Sequence, residues 1–278
     1  MKKIVSLGYS PCPNDCFIFD AIANKKIVSD TIDFEIILED VETLNKRAIS
    51  NTEKKLDVSK LSFATLIKSS EVYALADSGA ALGKNCGPLL ICRANPEEQI
   101  NKINELSIAI PGINTTANLL LKFAFPYAKN KVEMVFSDIE NSVQNSKTDL
   151  GLIIHENRFT YHKKGLKKVI DLGEYWQEKT NMPIPLGGIG ISSSLEDSIK
   201  IEVQRMIKES IKFAFNNPES SNKYVLDHSQ EMEKEVIEQH IKLYVNNYSV
   251  SLGEEGKKAV NYLFETEGLR MHPDFIVY

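Results

Sequence analysis

The order in which short apolar runs alternate with amphipathic stretches constrains this chain more than any single motif. Apolar runs at 3–8, 32–38, 56–60, 72–75 and 88–93 read as strands, with helices expected at 13–22, 41–50 and 62–69. A second block follows, with strands at 106–110, 132–136 and 150–154 and helices at 115–125 and 139–145. One more strand, at 187–192, precedes a tail with helical periodicity at 198–215, 231–245 and 254–267. Such βα alternation argues for α/β architecture built on parallel sheets. The block order suits two lobes: a discontinuous first lobe, 1–92 with 193–278, and an inserted second lobe, 93–192. Crossovers are expected near 92–94 and 186–192.

The 278 residues leave room for this, since domains commonly run to about 100–200 residues. With 42% hydrophobic and 26% charged residues, the chain can bury a large core without disulfides or metals. The formal net charge of −5 and a densest basic run confined to 162–168 argue against a nucleic-acid partner. No apolar run reaches the ~20 residues that span a bilayer. The apolar part of the first residues, 4–7, is too short for a signal peptide and is followed at once by Gly8, Pro11 and Pro13, so a cytoplasmic protein is expected. The four cysteines are then expected to be reduced. Cys12 and Cys16 lack a second close pair of Cys or His ligands, and no metal site is expected.

Polar clusters stand at several strand ends, where open α/β sheets bind ligands. After the strand at 106–110 come Pro111, Gly112, Ile113, Asn114, Thr115 and Thr116, opening a helix. Helix N-termini carry unpaired N–H donors and suit carboxylates or phosphates; equally, Asn114 or Thr115 can simply cap the helix. Lys60, Leu61 and Ser62 repeat the theme, with a cation and a hydroxyl at a helix start, or a capped helix beside an exposed lysine. His155 closes the apolar strand at 150–154; it can act as a base near neutral pH or hydrogen-bond a loop structurally. His240 shares a helix face with Val236 and Tyr244, which favours core packing.

Taken together, the runs LGYSPCPND (7–15), DVSKLS (57–62), Pro111 and Gly112 with Thr115 to Ala117, HENRFTY (155–161) and PIPLG (183–187) resemble the 1,4-dihydroxy-6-naphthoate synthase family. The resemblance implies a two-lobed fold of the type II periplasmic-binding-protein kind, used as an enzyme. It implies a lyase of menaquinone biosynthesis that converts cyclic dehypoxanthinyl futalosine to 1,4-dihydroxy-6-naphthoate and dihydroxyacetone. His155 matches the family's general base, and Lys60, Leu61, Ser62, Thr115 and Thr116 match its substrate-binding segments. Anion-binding helix starts suit the substrate's carboxylate, and a neutral imidazole suits proton removal with carbon–carbon cleavage. Such an elimination needs neither metal nor redox cofactor. The partner implied is the small-molecule substrate; homodimerisation is left open, and Tyr9, Phe159 and Tyr161 are candidates to stack on its bicyclic ring.

Three positions depart from the family pattern: Cys16 where Thr is expected, and Gly188 and Gly190 where alanines are expected. The rival readings are chorismate dehydratase of the same pathway and a non-catalytic carboxylate-binding protein. The segments at 9–15 and 155–161 favour the synthase.

Overall fold

Residues 2–52, 54–84, 86–229 and 233–278 are described by the computed structural model. In chain order the strands are β1 (Lys3–Tyr9), β2 (Ile32–Leu38), β3 (Val58–Ser62), β4 (Tyr73–Ala76), β5 (Ala81–Gly83), β6 (Leu89–Cys92), β7 (Ile108–Ile110), β8 (Lys131–Glu133), β9 (Leu150–Ile153), β10 (Lys167–Asp171), β11 (Ile184–Ser192) and β12 (Ile276–Val277). The chain divides into two units, Met1–Gly83 with Pro185–Tyr278, and Lys84–Ile184.

In the first unit the sheet order is β12-β4-β11-β3-β1-β2, with β5 paired to β11. β1 runs parallel to β2 and β3, whereas β11 runs antiparallel to β3 and β4. The helix Pro13–Ala23 starts with Pro at its first position, where the missing N–H costs nothing. Its buried Phe17, Ile18 and Ile22 join Val5 and Leu7 of β1 and Val203, Ile207 and Ile211 of the helix Asp197–Asn216 in one core cluster. Cys12 holds the N-cap position without a side-chain capping bond, and Asn14 and Asp15 lie inside the first turn and are buried. The helix expected at 231–245 starts outside the described residues at 231 and 232; its described part is Lys234–Tyr244.

The second unit carries the order β10-β6-β9-β7-β8. β7 is parallel to β8 and β9, while β6 is antiparallel to β9 and β10. Leu89, Ile91, Ala109, Ile139, Val143 and Ile153 form its apolar cluster.

Two expectations are corrected here. The sheets are mixed, not wholly parallel. Parallel neighbours must be linked by a crossover packed on their own sheet; β6 and β11 each follow a segment of the other unit, so that constraint does not act on them. The lobe boundaries expected at 92/93 and 192/193 fall earlier, because β6 hydrogen-bonds to β9 and β10 of the second unit and β11 to β3 and β4 of the first. Among the described residues no helix is long and apolar enough to cross a membrane.

Candidate active-site segments

In the second unit, Thr115, Thr116 and His155 follow the carboxyl ends of β7 and β9. These strands are parallel neighbours, with Ile108 opposite Leu150 and Ala109 opposite Gly151, so both loops leave the same edge of the sheet. Thr115 is the N-cap of the helix Thr116–Ala124: its Oγ1 accepts from the Asn118 N–H at 3.2 Å and donates to the Gly112 carbonyl at 2.7 Å. The Thr115 hydroxyl is therefore committed to shaping the turn. Thr116, the first helical residue, is buried.

His155 adopts a left-handed backbone, φ 57°. For a residue with a β-carbon this conformation is uncommon and is held only where the surroundings impose it. Its ring packs on that of Phe136 in a T-shaped arrangement, centroids 5.0 Å apart at 66°. The residues after it are tied down. Asn157 Nδ2 donates to Glu140 Oε2 at 2.9 Å, and Lys164 Nζ pairs with the same oxygen at 2.7 Å. Arg158 Nη1 donates to the Gly87 carbonyl at 2.6 Å, and its Nη2 pairs with Asp171 Oδ2 at 3.1 Å. Burial raises the Asp171 carboxyl above its ordinary range, outweighing the opposing pull of Arg158 and of the Gly173 and Glu174 amides.

In the first unit, parallel pairing of β1 with β3 brings Ser10 and the start of the helix Pro13–Ala23 to the end of β3. There Lys60 Nζ donates to the Gly79 carbonyl at 2.8 Å and pairs with Asp15 Oδ1 at 3.2 Å, both side chains nearly out of solvent. Asp15 also accepts from Ser10 Oγ at 2.7 Å and Asn14 Nδ2 at 2.8 Å. Asn14 Oδ1 in turn bonds His240 Nε2 at 2.8 Å. Lys60 is thus not the exposed cation allowed by the sequence; its charge is balanced within the unit. Leu61 is wholly buried core. Ser62 gives its N–H to Asn45 Oδ1 and accepts from Asn45 Nδ2, each at 3.0 Å, and retains its hydroxyl proton to donate.

Tyr9 is also core: it is fully buried, stacks on Phe19 at 4.4 Å, and its hydroxyl meets that of Tyr224 at 2.6 Å. Cys16 is fully buried in the same apolar cluster, where burial pushes its thiol up. Sequence reasoning missed Glu140 and Asp171. Asp171 carried a usable signal, an aspartate three residues ahead of Glu174, which is the spacing of a helix N-cap and its first turn.

Comparison with known proteins places these segments in a family. The sequence family described as menaquinone biosynthesis matches residues 5–267. A protein of Thermus thermophilus named 1,4-dihydroxy-6-naphtoate synthase is 40% identical, covering 96% of both chains. A Streptomyces coelicolor protein of the same name is 36% identical over 99% of this chain and 98% of its own. Among solved structures, a protein of Archaeoglobus fulgidus superposes with a TM-score of 0.86 at 32% identity, covering 95% of this chain and 97% of that one. The ligand-binding component of an ABC-type import system from Staphylococcus aureus gives a TM-score of 0.70 at 14% identity, over 100% and 97% of the two chains. A Candida albicans gene product described as having the generic periplasmic-binding-protein fold gives 0.65 at 11%, over 98% and 92%. The last two likenesses concern the fold alone, an α/β fold of the periplasmic-binding-protein kind. With the family match spanning nearly its whole length, and relatives at 36–40% identity, the chain belongs to the menaquinone-biosynthesis family.

Proposed function

We propose that this chain is a cytoplasmic 1,4-dihydroxy-6-naphthoate synthase. It converts cyclic dehypoxanthinyl futalosine to 1,4-dihydroxy-6-naphthoate and dihydroxyacetone, with His155 as the general base. The observation that carries the reading is the placement of His155. It follows the carboxyl end of β9 in a left-handed conformation, on the same sheet edge as the Thr115–Thr116 helix start. Strained backbone of this kind concentrates at functional sites. An imidazole titrates near neutral pH and suits proton abstraction ahead of carbon–carbon cleavage. Thr116, at the amino end of its helix, is the group we assign to the substrate carboxylate, because backbone N–H groups and a partial positive charge converge there. Ser62 is assigned to the substrate through its hydroxyl proton, and Lys60 and Leu61 through the shape of the strand end that carries it.

The test is an assay of the purified chain with cyclic dehypoxanthinyl futalosine, following dihydroxynaphthoate by chromatography, with His155→Ala alongside. Product from the parent chain, and a fall of about a hundredfold or more in kcat in the variant, are expected for loss of a general base. Near-parental turnover by the variant would remove His155 from that role. Absence of product from both, where an authentic synthase succeeds, would overturn the assigned reaction, and chorismate would be the next substrate.

A further inference from the structure

Arg158 lies in the HENRFTY run, yet the proposed chemistry gives it no part. Its guanidinium joins two separate pieces of the second unit, through different nitrogens: the Gly87 carbonyl ahead of β6, and Asp171 at the end of β10. The pair is well shielded, with the Arg158 and Asp171 side chains 12% and 3% exposed. Both acceptors are fixed independently of Arg158. Asp171 Oδ1 caps the helix Leu172–Thr180, accepting from the Gly173 and Glu174 amides at 2.7 and 3.2 Å. Gly87 and Gly173 are packed backbone to backbone so closely that a β-carbon on Gly87 would lie 2.1 Å from the Gly173 nitrogen. The platform under the guanidinium is therefore rigid, and whatever Arg158 holds is held to it.

What it holds is the turn beginning at His155. Arg158 belongs to the short helix Asn157–Thr160, two peptide units beyond Glu156. The neighbouring Asn157 is anchored to Glu140, so the turn is fastened on one side to the helix Ile139–Gln144 and on the other to the Gly87–Asp171 platform. A short segment pinned at both sides has little freedom to relax the left-handed φ of His155. Removing one pin lets the histidine return to the broad extended or right-handed regions, moving its ring away from Phe136.

We propose that Arg158 is a positioning residue: its two-point clamp on Gly87 and Asp171 holds His155 in its left-handed conformation and so aims the imidazole. This rests on the reading of His155 as the base. A reacting group displaced by about 1 Å can lose about a hundredfold in rate, so the effect should appear in kcat and not in substrate binding. Lysine is not an equivalent replacement, since one ammonium on a flexible stem cannot reproduce a planar fork spanning two acceptors.

The experiment uses the full chain with Arg158→Met, Arg158→Lys and Asp171→Asn, the last retaining a good helix cap while removing the charge. Each variant is checked by thermal melting, then assayed with cyclic dehypoxanthinyl futalosine for kcat and KM. In parallel, histidine-selective 15N labelling gives backbone amide signals for the five histidines, and that of residue 155 is identified by its loss in His155→Gln. The expected result for Arg158→Met is a kcat lower by at least about tenfold with KM within about twofold. The His155 amide signal should shift or broaden while the other four stay in place, and Arg158→Lys should restore only part of kcat. If Arg158→Met fails to fold, Arg158→Lys and Asp171→Asn carry the same two readouts. An unmoved His155 signal in a folded variant overturns the proposal, as does a loss confined to KM, which would make Arg158 a ligand contact. Should His155→Ala retain turnover, the base assignment fails by itself, and the amide signals still decide whether Arg158 sets the backbone of residue 155.

Discussion

Lys60 shows what a strand-end cation does when its partner comes from elsewhere in the chain. Two opposite charges share a site almost without solvent, and their attraction offsets a large desolvation cost only while both are present. Breaking such a pair typically costs about 3–5 kcal/mol, because the remaining charge is buried alone. Lys60→Met and Asp15→Asn are each expected to lower the urea midpoint markedly. The double variant should lose clearly less than the sum of the singles, since it leaves no unpaired charge. Additive losses in that cycle would show that Lys60 and Asp15 are energetically independent. A rise in KM caused by Lys60→Met has to be weighed against this loss of stability. The sequence made Lys60 visible because it closes an apolar strand just before a helix start. Asp15, Asn14 and His240 could not be read as its network: parallel pairing of β1 with β3, and a helix near the other end of the chain, bring them together.

Among the elements, those with a clear apolar period were legible and those without one were not. β2 falls where its alternation places it, at Ile32–Leu38, whereas β3 begins two residues beyond the expected start at Leu56. Leu56 is buried, but its carbonyl accepts from the Tyr73 hydroxyl at 2.7 Å and not from a neighbouring strand. β10, with the sequence KKVID, and β12, two residues long, offer no run that separates them from loops. The helices Pro96–Asn101 and Leu172–Thr180 are short and polar, and their capping residues, Asn95 and Asp171, were the usable signal. The glycines of β11 at 188 and 190 stand where the family pattern leads one to expect alanines, and larger side chains fill the space above them. A β-carbon on Gly188 would lie 2.6 Å from Leu75 Cδ1, and one on Gly190 would come within 3.1 Å of Leu61 and Tyr73. These glycines therefore accommodate larger neighbours in the first unit. Gly188→Ala is expected to destabilise by about 1–3 kcal/mol through overpacking, and Gly190→Ala by less. Adding Leu75→Val to Gly188→Ala should recover part of the loss, as it removes the methyl in the way. A Gly188→Ala variant at least as stable as the parent in urea would mean that the packing relaxes freely.

At the scale of the whole molecule, each unit carries a buried acid that folding holds in its protonated form. Burial pushes the Cys86 thiol of the second unit from 9.0 up to about 12. In the first unit burial likewise pushes the Tyr73 phenol from 10.0 up to about 12, and its proton is the one donated to the Leu56 carbonyl. On unfolding, both groups return to their ordinary values. Between pH 9 and 12 the unfolded chain therefore releases protons that the folded chain keeps. Stability falls wherever the folded state binds more protons, by up to about 1.4 kcal/mol per pH unit for each proton of difference. The contribution is fully present below the unfolded values and is lost as pH climbs toward the folded ones. Urea midpoints should accordingly be flat with respect to these groups at pH 7–8 and decline from about pH 9 upward, well before either buried group ionises in the native protein. Cys86→Ala with Tyr73→Phe should make that decline shallower, with the buried Cys16 thiol and Tyr9 phenol keeping their own share, whatever the pair costs at neutral pH, because the slope counts protons and not contacts. An equally steep alkaline decline in the double variant would place the responsible protons on other groups.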